Sequence, residues 1–116
     1  LNAALYFWGI YMNDWTNLTT CFGHSIQNPT DEQLKAALGE LYRCNDLEHP
    51  DAWIEHGSNE GSLVTLSVFS RGYAIYIKYS DLDMIEELEN RRIENVTEEM
   101  AFHLWKNIAD GNSEQI

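Results

Sequence analysis

Residues 62–79, which read SLVTLSVFSRGYAIYIKY, decide the fold of this chain. In both halves of the stretch apolar side chains alternate, which is the period of a β-strand with one face against a core. Arg71-Gly72 lies between the halves and favours a tight reversal, because glycine adopts backbone conformations that other residues avoid. The stretch therefore predicts a β-hairpin from Ser62 to Tyr79.

Three further segments outside the hairpin have the composition of strands. Residues 1–12 are apolar and rich in β-formers, which predicts a strand or an N-terminal arm. Residues 16–26 give a weaker strand signal, and residues 52–56 could add another strand before a glycine-rich turn. With the hairpin, they predict an antiparallel sheet of about four or five strands.

Two helices are marked by their caps. Thr30 is a suitable N-cap and Gln33 completes a capping box, so a helix is predicted over residues 31–43, where apolar residues recur at helical spacing. Thr97 caps a second helix, which Gly111 ends in a left-handed conformation.

Residues 81–95 are ambiguous. Leu82, Ile85 and Leu88 are spaced like one face of a helix. A third helix is therefore an open expectation, and the fold class is α+β, with two or three helices packed mainly on one face of the sheet.

The length of 116 residues suits a single domain, residues 1–116, with a loose tail over residues 112–116. The apolar start has no basic residue before it and no small-residue cleavage site, which makes it a poor export signal. It is also shorter than the roughly 20 residues that a membrane helix requires. We therefore expect a cytoplasmic protein.

The charge of the chain restricts its partners. Nineteen acidic and seven basic residues leave a net charge of −12. Such a surface repels nucleic acids and anionic membranes, and it attracts basic proteins and accelerates their association. We expect a basic protein as partner, with no nucleic acid and no membrane.

Eight of the acids lie in residues 81–99, where Arg91 and Arg92 are the basic residues, so this segment has a net charge of −6. A solvated helix face would explain the segment equally well. In the functional interpretation its carboxylates contact the partner, and Trp53 is an aromatic anchor. The predicted partner-binding residues are Asp81, Asp83, Glu86, Glu87, Glu89, Glu94, Trp53 and Glu55.

The residue types of an enzyme or metal site occur without a recognisable arrangement. Cys21 with His24, and Cys44 with His49, are the ligand types that zinc accepts, but a well-patterned helix separates the two pairs. A cysteine with a histidine could also form a nucleophilic site, yet no local signature supports one. We predict no enzyme, with no catalytic residue, no cofactor and no metal.

A series of short motifs runs through residues 24–112. They are Ile26-Gln27-Asn28-Pro29-Thr30, Glu32 with the helix through Leu41, His49-Pro50-Asp51, the hairpin to Tyr79, Val96-Thr97-Glu98-Glu99, and Ala109-Asp110-Gly111. This series resembles immunity family one of bacterial polymorphic toxin systems. The resemblance implies a small cytoplasmic protein that neutralises a toxin domain encoded beside it, and it implies no catalytic residues.

Charge and resemblance together lead to one expected function. The protein is predicted to be an immunity protein that binds a cognate basic toxin domain one-to-one, the toxin being a nuclease or another enzyme that acts on nucleic acid. Three alternatives stay open. They are a phage-type inhibitor that mimics DNA, a small thiol or metal enzyme, and a structural subunit that self-associates, for example as a homodimer.

Overall fold

Among the residues that the structure describes, a six-stranded antiparallel sheet carries two α-helices on one face. The computed structural model describes residues 14–44 and 47–116. The strands are β1 Trp15–Thr19, β2 Ser25–Gln27, β3 Asp51–Gly57, β4 Leu63–Phe69, β5 Tyr73–Tyr79 and β6 Glu87–Ile93. The helices are α1 Asp31–Arg43 and α2 Glu98–Ala109, and a short 3-10 helix covers Ser113–Gln115. The strand order across the sheet is β2-β1-β3-β4-β5-β6.

The predicted hairpin is confirmed as β4 and β5. Leu63 lies opposite Tyr79 at one end of the hairpin, and Phe69 lies opposite Tyr73 at the other. Gly72 has a φ of 100°, and its N–H donates to the Phe69 carbonyl oxygen at 2.9 Å. The turn therefore uses the conformational freedom that glycine provides.

Both predicted helices form, with the predicted caps. The Thr30 hydroxyl accepts from the Gln33 N–H at 3.2 Å, and the Gln33 side chain accepts from the Thr30 N–H at 2.9 Å, which completes the capping box. Thr97 caps α2 through the Met100 N–H. At the far end of α2 the Gly111 φ is 76°, so this glycine ends the helix as predicted.

The core lies between the helices and one face of the sheet. Trp105 of α2 is fully buried, and its indole N–H donates to the Leu66 carbonyl oxygen on β4 at 3.1 Å. This bond satisfies the polar atom of the ring inside an apolar contact. Leu34 and Leu41 of α1 are buried beside it. The opposite face of the sheet carries a row of half-buried aromatic and aliphatic side chains, namely Trp15, Trp53, Phe69, Tyr73, Ile75, Ile77 and Tyr79.

The sheet is larger than predicted, and residues 81–95 are not helical. Six strands replace the expected four or five, because the segment 16–26 forms two strands and the segment 81–95 supplies β6. The apolar spacing of 82, 85 and 88 suggested a helix, but residues 89–93 pair with β5 instead. The predicted strand or arm over residues 1–12 lies outside the described residues. In the tail, Arg91 donates to the Ile116 carbonyl oxygen at 3.1 Å.

Gly57 tests the packing on the face of the sheet opposite α1 and α2. A Cβ at this position would overlap the Trp15 indole, which lies directly over the glycine. We expect Gly57→Ala to lower the free energy of unfolding by about 1–3 kcal/mol, because the Trp15 ring or the strand must shift to admit the methyl group. Urea unfolding measures the change.

The matched control is Gly39→Ala in α1. A Cβ there meets the flexible end of the Arg43 side chain, and alanine favours a helix by up to about 1 kcal/mol relative to glycine. We expect this variant to be as stable as the parent or more stable. Equal destabilisation of the two variants would contradict the proposed steric cause.

Candidate partner-binding surface

The loop between β5 and β6 is organised by one carboxylate. Asp81 Oδ1 accepts from the N–H groups of Asp83 and Ile85, and Oδ2 accepts from that of Glu86, each at 3.0 Å. The Ser80 N–H donates to the Glu86 carbonyl oxygen at 3.0 Å and closes the loop. Hydrogen bonds from the Ile85 and Glu86 N–H groups lower the pKa of Asp81, because they favour its charged form. Asp81 therefore holds the loop in one shape.

This loop and the start of β6 expose four large apolar side chains. Leu82, Met84, Ile85 and Leu88, here called the apolar tip, are between 39% and 83% exposed. Met84 has a φ of 58°, a conformation that non-glycine residues adopt rarely. Single exposed apolar residues are ordinary, but four within seven residues concentrate exposed apolar surface in one segment, as interaction sites often do.

Carboxylates lie between the apolar residues of the tip. Residues 81–90 contain five acids and no lysine or arginine. Glu86 accepts from the Ser80 hydroxyl at 2.6 Å, and Glu87 accepts from the Asn90 side chain at 3.0 Å. Among the described residues, no basic side chain forms an ion pair with Asp83, Glu86 or Glu87. The segment therefore has a concentrated negative charge.

Two of the predicted binding acids are already paired with arginines. Glu89 forms an ion pair with Arg91, and Glu94 forms one with Arg92. Arg92 also lies over the Tyr73 ring at 3.7 Å from its centroid. These acids neutralise their neighbours on the edge strand, so they add less to the field of the surface than the unpaired acids of the loop.

Trp53 and Glu55 lie apart from the loop, on the face of β3 opposite α1 and α2. Trp53 is opposite Ser67 on β4, and Glu55 is opposite Thr65. Three strand spacings, roughly 14 Å, separate β3 from β6. The structure thus places these two residues on the open face of the sheet, away from the loop carboxylates.

A buried network joins β1 to β3. His56 Nδ1 lies 2.9 Å from the Thr16 hydroxyl, and its Nε2 lies 3.2 Å from an Asp14 carboxylate oxygen. The order of groups is that of a hydroxyl nucleophile, a base and an acid. Thr16, however, is only 6% exposed, so its hydroxyl is largely shielded from solvent. The network satisfies buried polar groups, and its residues are too far apart in the chain for a local motif to reveal it.

The candidate zinc ligands have other contacts. The Cys21 thiol donates to a Glu40 carboxylate oxygen at 3.7 Å, and the His49 ring packs against Phe22. No group of three or more potential metal ligands comes together in the part of the chain that the structure describes. Burial, followed by the charge of Glu40, raises the pKa of Cys21 to about 11. This thiol is therefore a poor nucleophile at neutral pH.

Asp81→Ala tests how the loop is held. We expect hydrogen exchange at the Asp83, Ile85 and Glu86 amides to accelerate strongly, because all three donate to the missing carboxylate. Lowering the pH through the depressed pKa of Asp81 should have the same effect on the parent, whereas the loop should stay ordered at and above the ordinary pKa of an aspartate. Asp83→Ala is the control, because residue 83 contributes only its backbone N–H to the loop and the variant keeps that group. Unchanged hydrogen exchange in Asp81→Ala would contradict the role of Asp81 in holding the loop.

Alkylation tests the Cys21 thiol in a Cys44→Ser background. With a pKa of about 11, we expect Cys21 to react with iodoacetamide at neutral pH roughly a hundredfold more slowly than an unperturbed thiol. The rate should rise as the pH approaches the pKa. A rate equal to that of a free cysteine peptide would show that the thiolate is available and would reopen the thiol-enzyme alternative.

Comparisons with known proteins give no match, whether to a family model, to a curated protein or to a solved structure. Neither helix of the described residues has the length and apolar character needed to cross a membrane. The function of the chain must therefore be inferred from the surface itself.

Proposed function

We propose that this protein is an immunity-type inhibitor, which binds one basic toxin domain through its acidic surface and neutralises it. The observation that carries the proposal is the acidic loop. Residues 81–90 contain five acids and no lysine or arginine, and three of the acids, Asp83, Glu86 and Glu87, form no ion pair among the described residues. The loop stands at one end of the sheet, held in shape by Asp81.

The chemistry of a nucleic-acid-acting toxin favours such a surface. An enzyme that holds a polyanion needs positive charge around its active site, because phosphate attraction supplies most of its binding energy. Carboxylates on a fixed loop can occupy the same cleft in place of phosphates. The net charge of −12 adds long-range attraction, which accelerates the encounter.

The resemblance to immunity family one supports the same proposal on separate grounds, and it implies a cytoplasmic protein whose toxin is encoded beside it. The DNA-mimicking inhibitor would use the same carboxylates toward a DNA-binding protein of a host. The identity of the bound protein, and the position of its gene, distinguish the two functions.

Charge reversal of the loop tests the proposal. The tagged full chain is used to capture a partner from its native host, and the captured basic domain is then purified for affinity measurements. We expect the triple variant Asp83→Lys, Glu86→Lys, Glu87→Lys to bind at least roughly tenfold more weakly, mainly through slower association. Increasing salt should weaken the parent complex more than the variant complex.

The matched control reverses three other exposed acids, Glu60→Lys, Glu99→Lys and Glu114→Lys. Both variants change the net charge equally, so a difference between them reports the position of the charges. Equal affinity of the loop variant and the parent would overturn this assignment of the surface. Capture of no basic protein would overturn the function itself.

A further inference from the structure

We propose that the apolar tip, Leu82, Met84, Ile85 and Leu88, is the anchor of the complex and inserts into an apolar pocket bordered by basic residues on the partner protein. This inference rests on the proposed function and deepens it, since it specifies the partner's surface. The sequence analysis predicted that carboxylates and Trp53 contact the partner. The exposed apolar side chains that lie between those carboxylates add a different kind of contact.

Exposure is the first support for an anchor. Ile85 is 83% exposed, and the other three side chains of the tip are at least 39% exposed. Water-exposed aliphatic groups of this size gain free energy whenever a pocket removes them from solvent. The strongest contacts in protein interfaces are usually such buried side chains, surrounded by polar groups that exclude water.

The second support is the fixed shape of the loop. Asp81 and the bond between Ser80 and Glu86 hold the backbone before any partner arrives. A loop that is already ordered loses little conformational entropy on binding. The tip is thus presented in one arrangement, as a rigid anchor requires.

The charge around the tip indicates which kind of molecule binds it. Asp83, Glu86 and Glu87 alternate with the apolar residues, so the complementary pocket must have a positive border. A second copy would place the same carboxylates opposite each other across a two-fold axis, where they repel. A bilayer with anionic lipids repels them as well. A basic protein with an apolar pocket satisfies both the charge and the apolar surface.

The two kinds of side chain should then act on different rate constants. Carboxylates attract the partner over a distance, which determines the association rate and its dependence on salt. Apolar contacts form only after docking, so they determine how slowly the complex dissociates. Substitutions in the tip should therefore change the dissociation rate, whereas substitutions of the carboxylates should change the association rate.

Photo-crosslinking in the native host provides the first test. A benzophenone amino acid replaces Ile85 in the full chain, and in a separate sample it replaces Leu47, which is 81% exposed and lies elsewhere. We expect position 85 to crosslink to the basic domain that the tagged chain captures, at a segment that contains apolar and basic residues. Position 47 should not crosslink to that domain.

Kinetics with the purified captured domain provides the second test. We expect Ile85→Ser to raise the dissociation rate roughly tenfold while leaving the salt dependence of association unchanged. Leu47→Ser is the matched control and should change neither rate. Both side chains are largely exposed, so urea unfolding should show parent-like stability for both variants.

The outcomes separate this inference from the proposed function. If the captured domain depends on the loop charges but Ile85→Ser dissociates at the parent rate, the anchor is overturned and the function stands. Crosslinking of position 85 to a second copy or to lipid also overturns the anchor. If no basic protein is captured by either route, both proposals fail.

Discussion

The contact between Trp105 and the central strand β4 determines how the rest of the molecule is arranged. The indole is fully buried and its N–H is bonded to the Leu66 carbonyl oxygen, so α2 is held against one face of the sheet. Lys106, the next residue, forms an ion pair with Asp31 at the start of α1, which joins the two helices. Both helices therefore cover the same face. In residues 14–44 and 47–116, neither α1 nor α2 covers the opposite face of the sheet.

Strand β6 lies at one edge of the sheet formed by the described strands, next to the acidic loop. An edge strand can recruit a strand from another molecule through its backbone groups, which is a common route to aggregation. Glu89 with Arg91, and Arg92 with Glu94, place paired charges along this edge. Charged side chains discourage strand pairing, so we infer that these four residues protect the edge from pairing. Asp83, Glu86 and Glu87 are the acids that we propose contact the partner.

Local signals made much of the fold predictable. Helix α1 begins and ends at the predicted residues because its cap and its apolar spacing lie within the segment itself. The hairpin is equally local. The sequence left residues 81–95 ambiguous because strand β6 depends on pairing with β5, and the loop depends on hydrogen bonds from its own backbone to Asp81. Neither interaction produces a regular spacing of apolar residues in the sequence. Leu82, Ile85 and Leu88, in contrast, have the spacing of one face of a helix by coincidence.

The sequence predicted the negative charge of the candidate site, because acidic residues can be counted. It did not predict the exposed apolar residues of the tip, because apolar residues are expected to be buried. The one sequence feature that pointed to the exposed tip was Asp81 at the start of the segment, since aspartate often caps a loop through its own backbone.

The hydrogen bonds to Asp81 also have an evolutionary consequence. The carboxylate accepts from three main-chain N–H groups and, among side chains, from the Ser80 hydroxyl at 3.5 Å, so the shape of the loop does not depend on the side chains at positions 82, 85 and 88. In the proposed complex, substitutions at Leu82, Ile85 and Leu88 would change the surface offered to the partner without disturbing the scaffold, so a lineage could follow a diverging partner through these few positions.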